Sequence, residues 1–290
     1  MPFGCATTPW PKFCTNRAAP FSIGAATDLM MPQRYPMKRK IPALSVNLNK
    51  VALVRNTRSL GIPDVLRAAD LCLQAGANGI TVHPRPDQRH IRTSDVTALA
   101  ALMQSWPGRQ FNIEGNPFHN LMDVALLLVE AHLPVHQLTF VPDAVGQQTS
   151  DHGFDLPVDA KSLEPKIAQA RAWGLQVSVF VDANAHMMAD VKACGADCVE
   201  LYTQPYAAAW GTSSQSLQLE RFAQAALAAQ VAGLGVNAGH DLNRDNLTTF
   251  LAHVPGVREV SIGHALISDA LEMGYAATVR DYLRCIRSAA

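Results

Sequence analysis

From Ala43 onward, short apolar runs rich in Val, Ile and Leu alternate with longer stretches whose apolar positions recur at helical spacing. The runs predict strands over 44–48, 79–83, 110–114, 137–141, 176–181, 198–202, 233–237 and 257–262. Helix-like stretches lie between and after them, around 63–75, 94–105, 118–131, 159–172, 184–193, 214–232, 243–252 and 264–287. Strict alternation calls for a parallel sheet with helical crossovers. The strands are apolar almost throughout, as strands covered on both faces should be. Eight such units in roughly 250 residues fit an α/β fold of the closed (β/α)8 TIM barrel type, with extra helices. A weak internal echo, Ala75-Gly76-Ala77 and Cys194-Gly195-Ala196, puts a glycine before two of the strands, where it can end a helix in the left-handed conformation. No GxGxxG opens the first turn after a strand, which argues against a dinucleotide-binding fold.

Composition narrows the class. Hydrophobic residues make up 48% of the chain, enough for a large core, and 24 basic residues balance 24 acidic ones. No basic stripe could neutralise a row of phosphates, so nucleic acid is not an expected partner. No apolar run reaches the roughly 18 residues that span a bilayer, so no membrane association is expected. The six cysteines form no CxxC pair and no metal spacing. Cys72, Cys194 and Cys198 lie in apolar patterns and read as reduced, buried thiols, which fits a cytoplasmic protein. Residues 1–40 are Pro-rich, lack periodicity and end in Lys38-Arg39-Lys40. They read as a poorly ordered N-terminal extension without a convincing signal-peptide core. Residues 41–290 read as a single catalytic barrel.

In a barrel, the carboxyl ends of all strands meet on one face, where catalytic groups collect. The first strand carries Asn47, Asn49 and Lys50, with Arg55 and Arg58 in the next loop, one of which should face the site. The second ends in His83, Arg85 and His90, on a connection stiffened by Pro84 and Pro86. A fixed cation and two imidazoles suit a phosphorylated substrate that needs proton transfers. The third strand ends in Glu114, the fourth leads towards Thr149, and the sixth carries Glu200. The seventh runs into Gly239-His240-Asp241 and the eighth into Gly263-His264. Burying an unpaired carboxylate is costly, so Glu114 and Glu200 read as functional rather than as filler. Gly263-His264 opens the last helix, whose free N–H groups can hold a phosphate where barrels usually bind one. Lys50 is able to form an imine with a carbonyl, although phosphate binding is the plainer reading.

His119, His132, His136, His152, His186 and His253 match no pattern and read as surface or structural. The chain lacks a nucleophilic Ser or Cys with a base partner. It also lacks the compact carboxylate/His set of a metal site, although His83, Glu114 and His240 superficially resemble one. No metal or cofactor is therefore expected. General acid–base chemistry on a phosphorylated carbonyl compound fits the inventory best. Two other readings stay open on residues alone: a sugar-phosphate aldolase or isomerase, and a catalytically silent phosphate-binding barrel.

The motifs themselves resemble a known family. Val46-Asn47-Leu48-Asn49-Lys50 with Leu53-Val54-Arg55-Asn56-Thr57-Arg58 resembles the first motif of the pyridoxine 5′-phosphate synthases, and 76–91 resembles the second. Asn112-Ile113-Glu114, Val236-Asn237-Ala238-Gly239-His240 and Ile262-Gly263-His264-Ala265 match the rest, so the resemblance runs from about Leu44 to Arg287. It implies a barrel that condenses 1-deoxy-D-xylulose 5-phosphate with 3-amino-2-oxopropyl phosphate, giving pyridoxine 5′-phosphate, phosphate and water. It implies His83 and Glu114 as proton acceptors, His240 as proton donor and Glu200 as the carboxylate assisting the transition state. Asn47, Arg58, Gly263 and His264 would contact the amino-ketone phosphate. Arg85, His90, Thr149, Asn49 and Lys50 would contact the deoxyxylulose phosphate. The family forms homo-oligomers, octamers by this resemblance. Two departures from its usual pattern stand out: Asn49-Lys50 where many members carry Asp-His, and Asp241 where a glycine usually follows the histidine. Asp241 remains a candidate contact, and its carboxylate would repel a nearby phosphate.

Overall fold

The computed structural model describes residues 41–289, so the expectation for residues 1–40 lies outside it. The strands are β1 (Ala43–Asn47), β2 (Gly79–Val82), β3 (Gln110–Gly115), β4 (Gln137–Phe140), β5 (Gln176–Val181), β6 (Cys198–Tyr202), β7 (Gly235–Gly239) and β8 (Val257–Ile262). All pair in parallel, each with the next, and β8 closes on β1. This is the (β/α)8 TIM barrel that the alternation predicts.

The helices are α1 (Asn49–Asn56), α2 (Val65–Gln74), α3 (Thr93–Met103), α4 (Leu121–Glu130), α5 (Ala160–Ala172), α6 (Met188–Ala193), α7 (Gln204–Ala209), α8 (Gln215–Val231), α9 (Leu247–His253), α10 (His264–Met273) and α11 (Tyr275–Ser288). Local chemistry explains several of their ends. Asp64 caps α2 by accepting from the backbone N–H groups of Leu66 at 2.8 Å and Arg67 at 3.3 Å. Gly76 and Gly195 hold φ of +109° and +92°, as the paired Gly-Ala turns predict. Among the described residues no helix is long and apolar enough to cross a membrane. Cys72, Cys194 and Cys198 are buried free thiols, and burial pushes Cys72 up to about 12.

Four elements differ from the pattern-based expectation. Asn49 and Lys50 do not extend β1 but open α1, because the chain turns at Leu48 and places Val51 and Ala52 in the core. The short α7 escapes a periodicity reading because six residues hold less than two turns. The single helix expected over 264–287 is two, broken at Gly274, whose φ of +77° no helix can continue. β7 also begins two residues late, at Gly235.

The barrel lumen is polar rather than filled by branched aliphatic residues, the usual filling of this fold. Ser45 and Thr81 share a hydroxyl hydrogen bond of 2.7 Å, and Thr139 donates to Asn112 at 3.1 Å. Asn237 on β7 donates to Gln137 on β4 at 3.3 Å, across the lumen. The apolar faces of the strands point outward instead, where Leu44, Val46, Ile80, Phe111, Leu138 and Val199 pack against the helices without solvent exposure. The register places Glu200 beside Asn237 and Asn237 beside Glu259, so the column of polar residues carries two buried carboxyl groups.

Candidate active site

At the carboxyl end of the strands lies a cavity of about 420 Å³. Its lining includes Asn47, Asn49, Lys50, His83, Arg85, His90, Glu114, Thr149, Glu200, His240, Asp241, Gly263 and His264. Arg58 is not brought there: it is exposed just beyond the end of α1. Nor does Arg55 face the cavity. Its guanidinium turns inward to Asp95, at 2.5 and 2.8 Å, and donates to the His90 carbonyl at 3.1 Å. The expectation that one of this pair faces the site is therefore corrected, because a buried carboxylate on α3 captures the inner arginine. That ion pair instead fastens α1 to α3, while Arg55 and Asn56 tie α1 to the 88–92 segment, Asn56 donating to the carbonyls of Arg89 at 2.9 Å and His90 at 2.8 Å.

The proton-transfer groups sit together. His83 Nδ1 lies 4.0 Å from Glu114 Oε2, and its Nε2 lies 3.8 Å from Asp143 Oδ2. Asn49 accepts from the His83 backbone N–H at 2.9 Å, and the Asn49 N–H donates to Asn47 Oδ1 at 3.0 Å. Asn47 Nδ2 in turn donates to Glu114 Oε2 at 3.2 Å. The start of α1 thus aligns the base and the carboxylate through one asparagine pair. Burial, with Arg85, His90 and Arg89 beside it, holds the His83 imidazole well below the usual histidine range, so it is neutral near pH 7. Burial pushes Glu114 up to about 7, against the pull of His240, Arg85 and the Asn47 hydrogen bond.

Glu200 lies deeper, 4% exposed, and one of its oxygens has no hydrogen-bond partner among the described residues. Burial and the nearby Glu114 and Glu259 carboxyls raise it well above the usual carboxylate range, which favours its protonated form. Its other oxygen presses on Gly239, where a Cβ would collide with it. Glycine is required there by close approach.

His240 and Asp241 adopt φ of +85° and +58°, a region that costs free energy in non-glycine residues. Thr203 sustains this backbone by donating its hydroxyl to the carbonyls of Gly239, at 2.7 Å, and His240. The His240 ring meets Thr149 Oγ1 at 3.1 Å through Nε2, and its Nδ1 is 3.5 Å from the Asp241 carboxylate. That contact holds the Asp241 carboxyl below its ordinary range. The extra carboxylate therefore faces its neighbouring imidazole.

Two anion-attracting regions flank these groups. Arg85, Lys50 and His90 form one. His90 Nδ1 accepts from the Ile91 N–H at 2.9 Å, which fixes its tautomer and leaves Nε2–H as a donor. Burial, then Arg85 and Arg89, lowers it to about 4, so it offers a neutral hydrogen bond rather than a charge. The other region is the N-terminus of α10, where Gly263 packs on the Asn47 side chain and His264 is the first helical residue.

Sequence reasoning missed Asp143 and Glu259. Asp143 follows Pro142 directly after an apolar strand, the same signal that singled out Glu114. Glu259 looks like half of a surface Arg258-Glu259 pair, yet it alternates inward with Ser261, and burial raises it to about 7. Of the histidines read as surface or structural, His136 has a structural task, accepting the Phe111 N–H at 3.0 Å.

Comparison with known proteins agrees with this geometry. Residues 44–288 match the family described as pyridoxal phosphate biosynthesis protein PdxJ. The chain is 73% identical over 243 residues to a pyridoxine 5′-phosphate synthase of Albidiferax ferrireducens, covering 84% of this chain and 96% of that one. It is 52% identical over 247 residues to one of Xylella fastidiosa, covering 84% and 95%. Among solved structures, tryptophan synthase of Mycobacterium tuberculosis shares the barrel with a TM-score of 0.57 at 15% identity, covering 85% of this chain and 93% of that one. That likeness concerns the fold alone. The chain belongs to the PdxJ family of pyridoxal phosphate biosynthesis proteins.

Proposed function

We propose that the protein is a pyridoxine 5′-phosphate synthase, condensing 1-deoxy-D-xylulose 5-phosphate with 3-amino-2-oxopropyl phosphate to pyridoxine 5′-phosphate, phosphate and water by general acid–base catalysis. The observation that carries this reading is one cavity holding three proton-transfer groups of different poise between two anion-attracting regions. Imine formation, phosphate elimination, dehydration and ring closure each move protons, so one pocket needs both acceptors and donors.

In this reading neutral His83 and ionised Glu114 accept protons from the substrate atoms between them. His240 donates, its ring oriented by Thr149 at one nitrogen and Asp241 at the other. Glu200, protonated, donates a hydrogen bond to oxygen that gains negative charge in the transition state. Arg85, His90, Lys50, Asn49 and Thr149 hold the deoxyxylulose phosphate. Asn47 and the Gly263-His264 helix end hold the amino-ketone phosphate, and Asp241 borders it. Arg58 reaches that phosphate only if the segment after α1 moves inward on binding. The same reading makes the protein a cytoplasmic homo-oligomer, an octamer by family resemblance, and exposed Leu60, Ile62 and Val231 offer apolar surface for assembly.

His83→Asn and Glu114→Gln should each lower pyridoxine 5′-phosphate formation by at least about 10²-fold, the scale of one lost acid–base group. Chromatographic assay of the product decides. Near wild-type rates in both variants would contradict the roles.

A further inference from the structure

Asp143 lies in the connection after β4, yet it is 3% exposed. A buried carboxylate persists only when it is paired and hydrogen-bonded. Among the described residues a single oxygen carries the hydrogen bonds of this carboxyl group. Oδ2 accepts from Arg85 Nη2, accepts from Ser150 Oγ at 2.9 Å, and faces His83 Nε2 at 3.8 Å. Oδ1 is buried without a hydrogen-bond partner among the described residues. Arg85 makes a second bond, from Nη1 to the Gln147 carbonyl at 2.9 Å, so its guanidinium is held at two points. The His83 ring lies between two carboxyl groups, with Glu114 at 4.0 Å on one side and Asp143 at 3.8 Å on the other.

We propose that Asp143 is a positioning residue for this reaction: one carboxylate fixes the Arg85 guanidinium and borders the side of the His83 imidazole that faces away from Glu114. The inference rests on the acid–base reading above. Asp143 holds the guanidinium fork in one orientation before substrate arrives, which places the bound phosphate for reaction rather than tightening its binding. It also competes with phosphate for the same cation, which leaves Arg85 aligned without overbinding the anion.

Asp143 acts on the second base through charge. Glu114 is faced by Asn47 from β1, His83 and Arg85 from the end of β2, Asp143 from after β4, Glu200 from β6, His240 from after β7 and Glu259 from β8. Among these Asp143 opposes ionisation of Glu114, so removing its charge eases that ionisation. Asp143 itself is faced by Arg85, His83, Ser150, Asp151 and His152.

The test uses the full chain with Asp143→Asn, Asp143→Glu and Ser150→Ala. Asp143→Asn keeps the shape and removes the charge. Its kcat should fall by about tenfold or more, with KM for the deoxyxylulose phosphate moving less. The acid limb of its pH profile should shift to lower pH, and Asp143→Glu should restore most of kcat. Inorganic phosphate, titrated by calorimetry, should bind at least about twofold tighter to the Asn variant, since Arg85 has lost its competing carboxylate. A wild-type kcat with an unmoved acid limb would overturn the proposal. So would a fall in kcat accompanied by weaker phosphate binding, the signature of simple damage. Should Asp143→Asn fail to fold, Ser150→Ala decides: a kcat drop of about threefold or more supports the proposal, and an unchanged kcat overturns it. The phosphate titration needs no turnover. A chain that binds phosphate as described but forms no pyridoxine 5′-phosphate would therefore refute the proposed function and not the role of Asp143.

Discussion

Asn47→Ala tests the poise of the catalytic carboxylate. Asn47 Nδ2 donates to Glu114 Oε2 at 3.2 Å, a hydrogen bond that favours the ionised form. Hydrogen bonds to charged groups contribute roughly 1.5–3 kcal/mol. At about 1.4 kcal/mol per pKa unit, losing this bond raises Glu114 by about one unit, allowing for water that enters the space. The sign is definite. Burial already pushes Glu114 up to about 7, and removing a donor to the charged form pushes it higher. A proton acceptor works only when ionised, so the acid limb of kcat/KM should move from about 7 towards 8. At pH 7 the ionised fraction falls from half to about a tenth, a loss of about fivefold in rate, which returns at pH 9. His83 does not confuse the assignment, because its imidazole titrates well below this range. Loss of an Asn47 contact to substrate would raise KM at every pH and leave the limb in place. An acid limb that stays at the wild-type position, or moves to lower pH, would refute the reasoning.

Three further perturbations follow from the same geometry. Gly239→Ala drives a methyl group into the Glu200 carboxyl and should cut kcat by about 10²-fold in a folded protein, whereas near wild-type turnover would show that Glu200 tolerates displacement. Arg55→Ala strands Asp95, and urea unfolding should show a loss of about 3–5 kcal/mol; a loss under about 1 kcal/mol would mean that the pair does not fasten α1 to α3. Glu259 is raised from 4.5 to about 7, so its folded state is favoured fully below pH 4.5 and loses that advantage as pH rises through 7. Glu259→Gln should therefore gain up to about 3 kcal/mol relative to wild type at pH 8 and little at pH 5; equal differences at the two pH values would contradict the shift.

The fold was legible because burial on both faces writes a parallel strand as a short apolar run, and eight such runs alternate with helical stretches. The rim was legible where a polar residue ends an apolar run, as at His83, Glu114 and His240. Reasoning failed where tertiary partners decide. Nothing local says that Arg55 turns inward to Asp95 on a helix 40 residues away while Arg58 faces solvent. The polar lumen was hidden for a similar reason: Ser45, Thr81, Asn112 and Thr139 read as interruptions of apolar strands until closure of the barrel brings them together. Asp143 carried the right local signal, but its importance depends on Arg85 and His83 meeting it from β2.

The most direct measurement mixes the purified protein with 1-deoxy-D-xylulose 5-phosphate and 3-amino-2-oxopropyl phosphate, and follows product and released phosphate together. The expected result is pyridoxine 5′-phosphate and inorganic phosphate in equal amounts, both suppressed in Glu114→Gln. Folded protein that binds the two phosphates but forms no pyridoxine 5′-phosphate would contradict it.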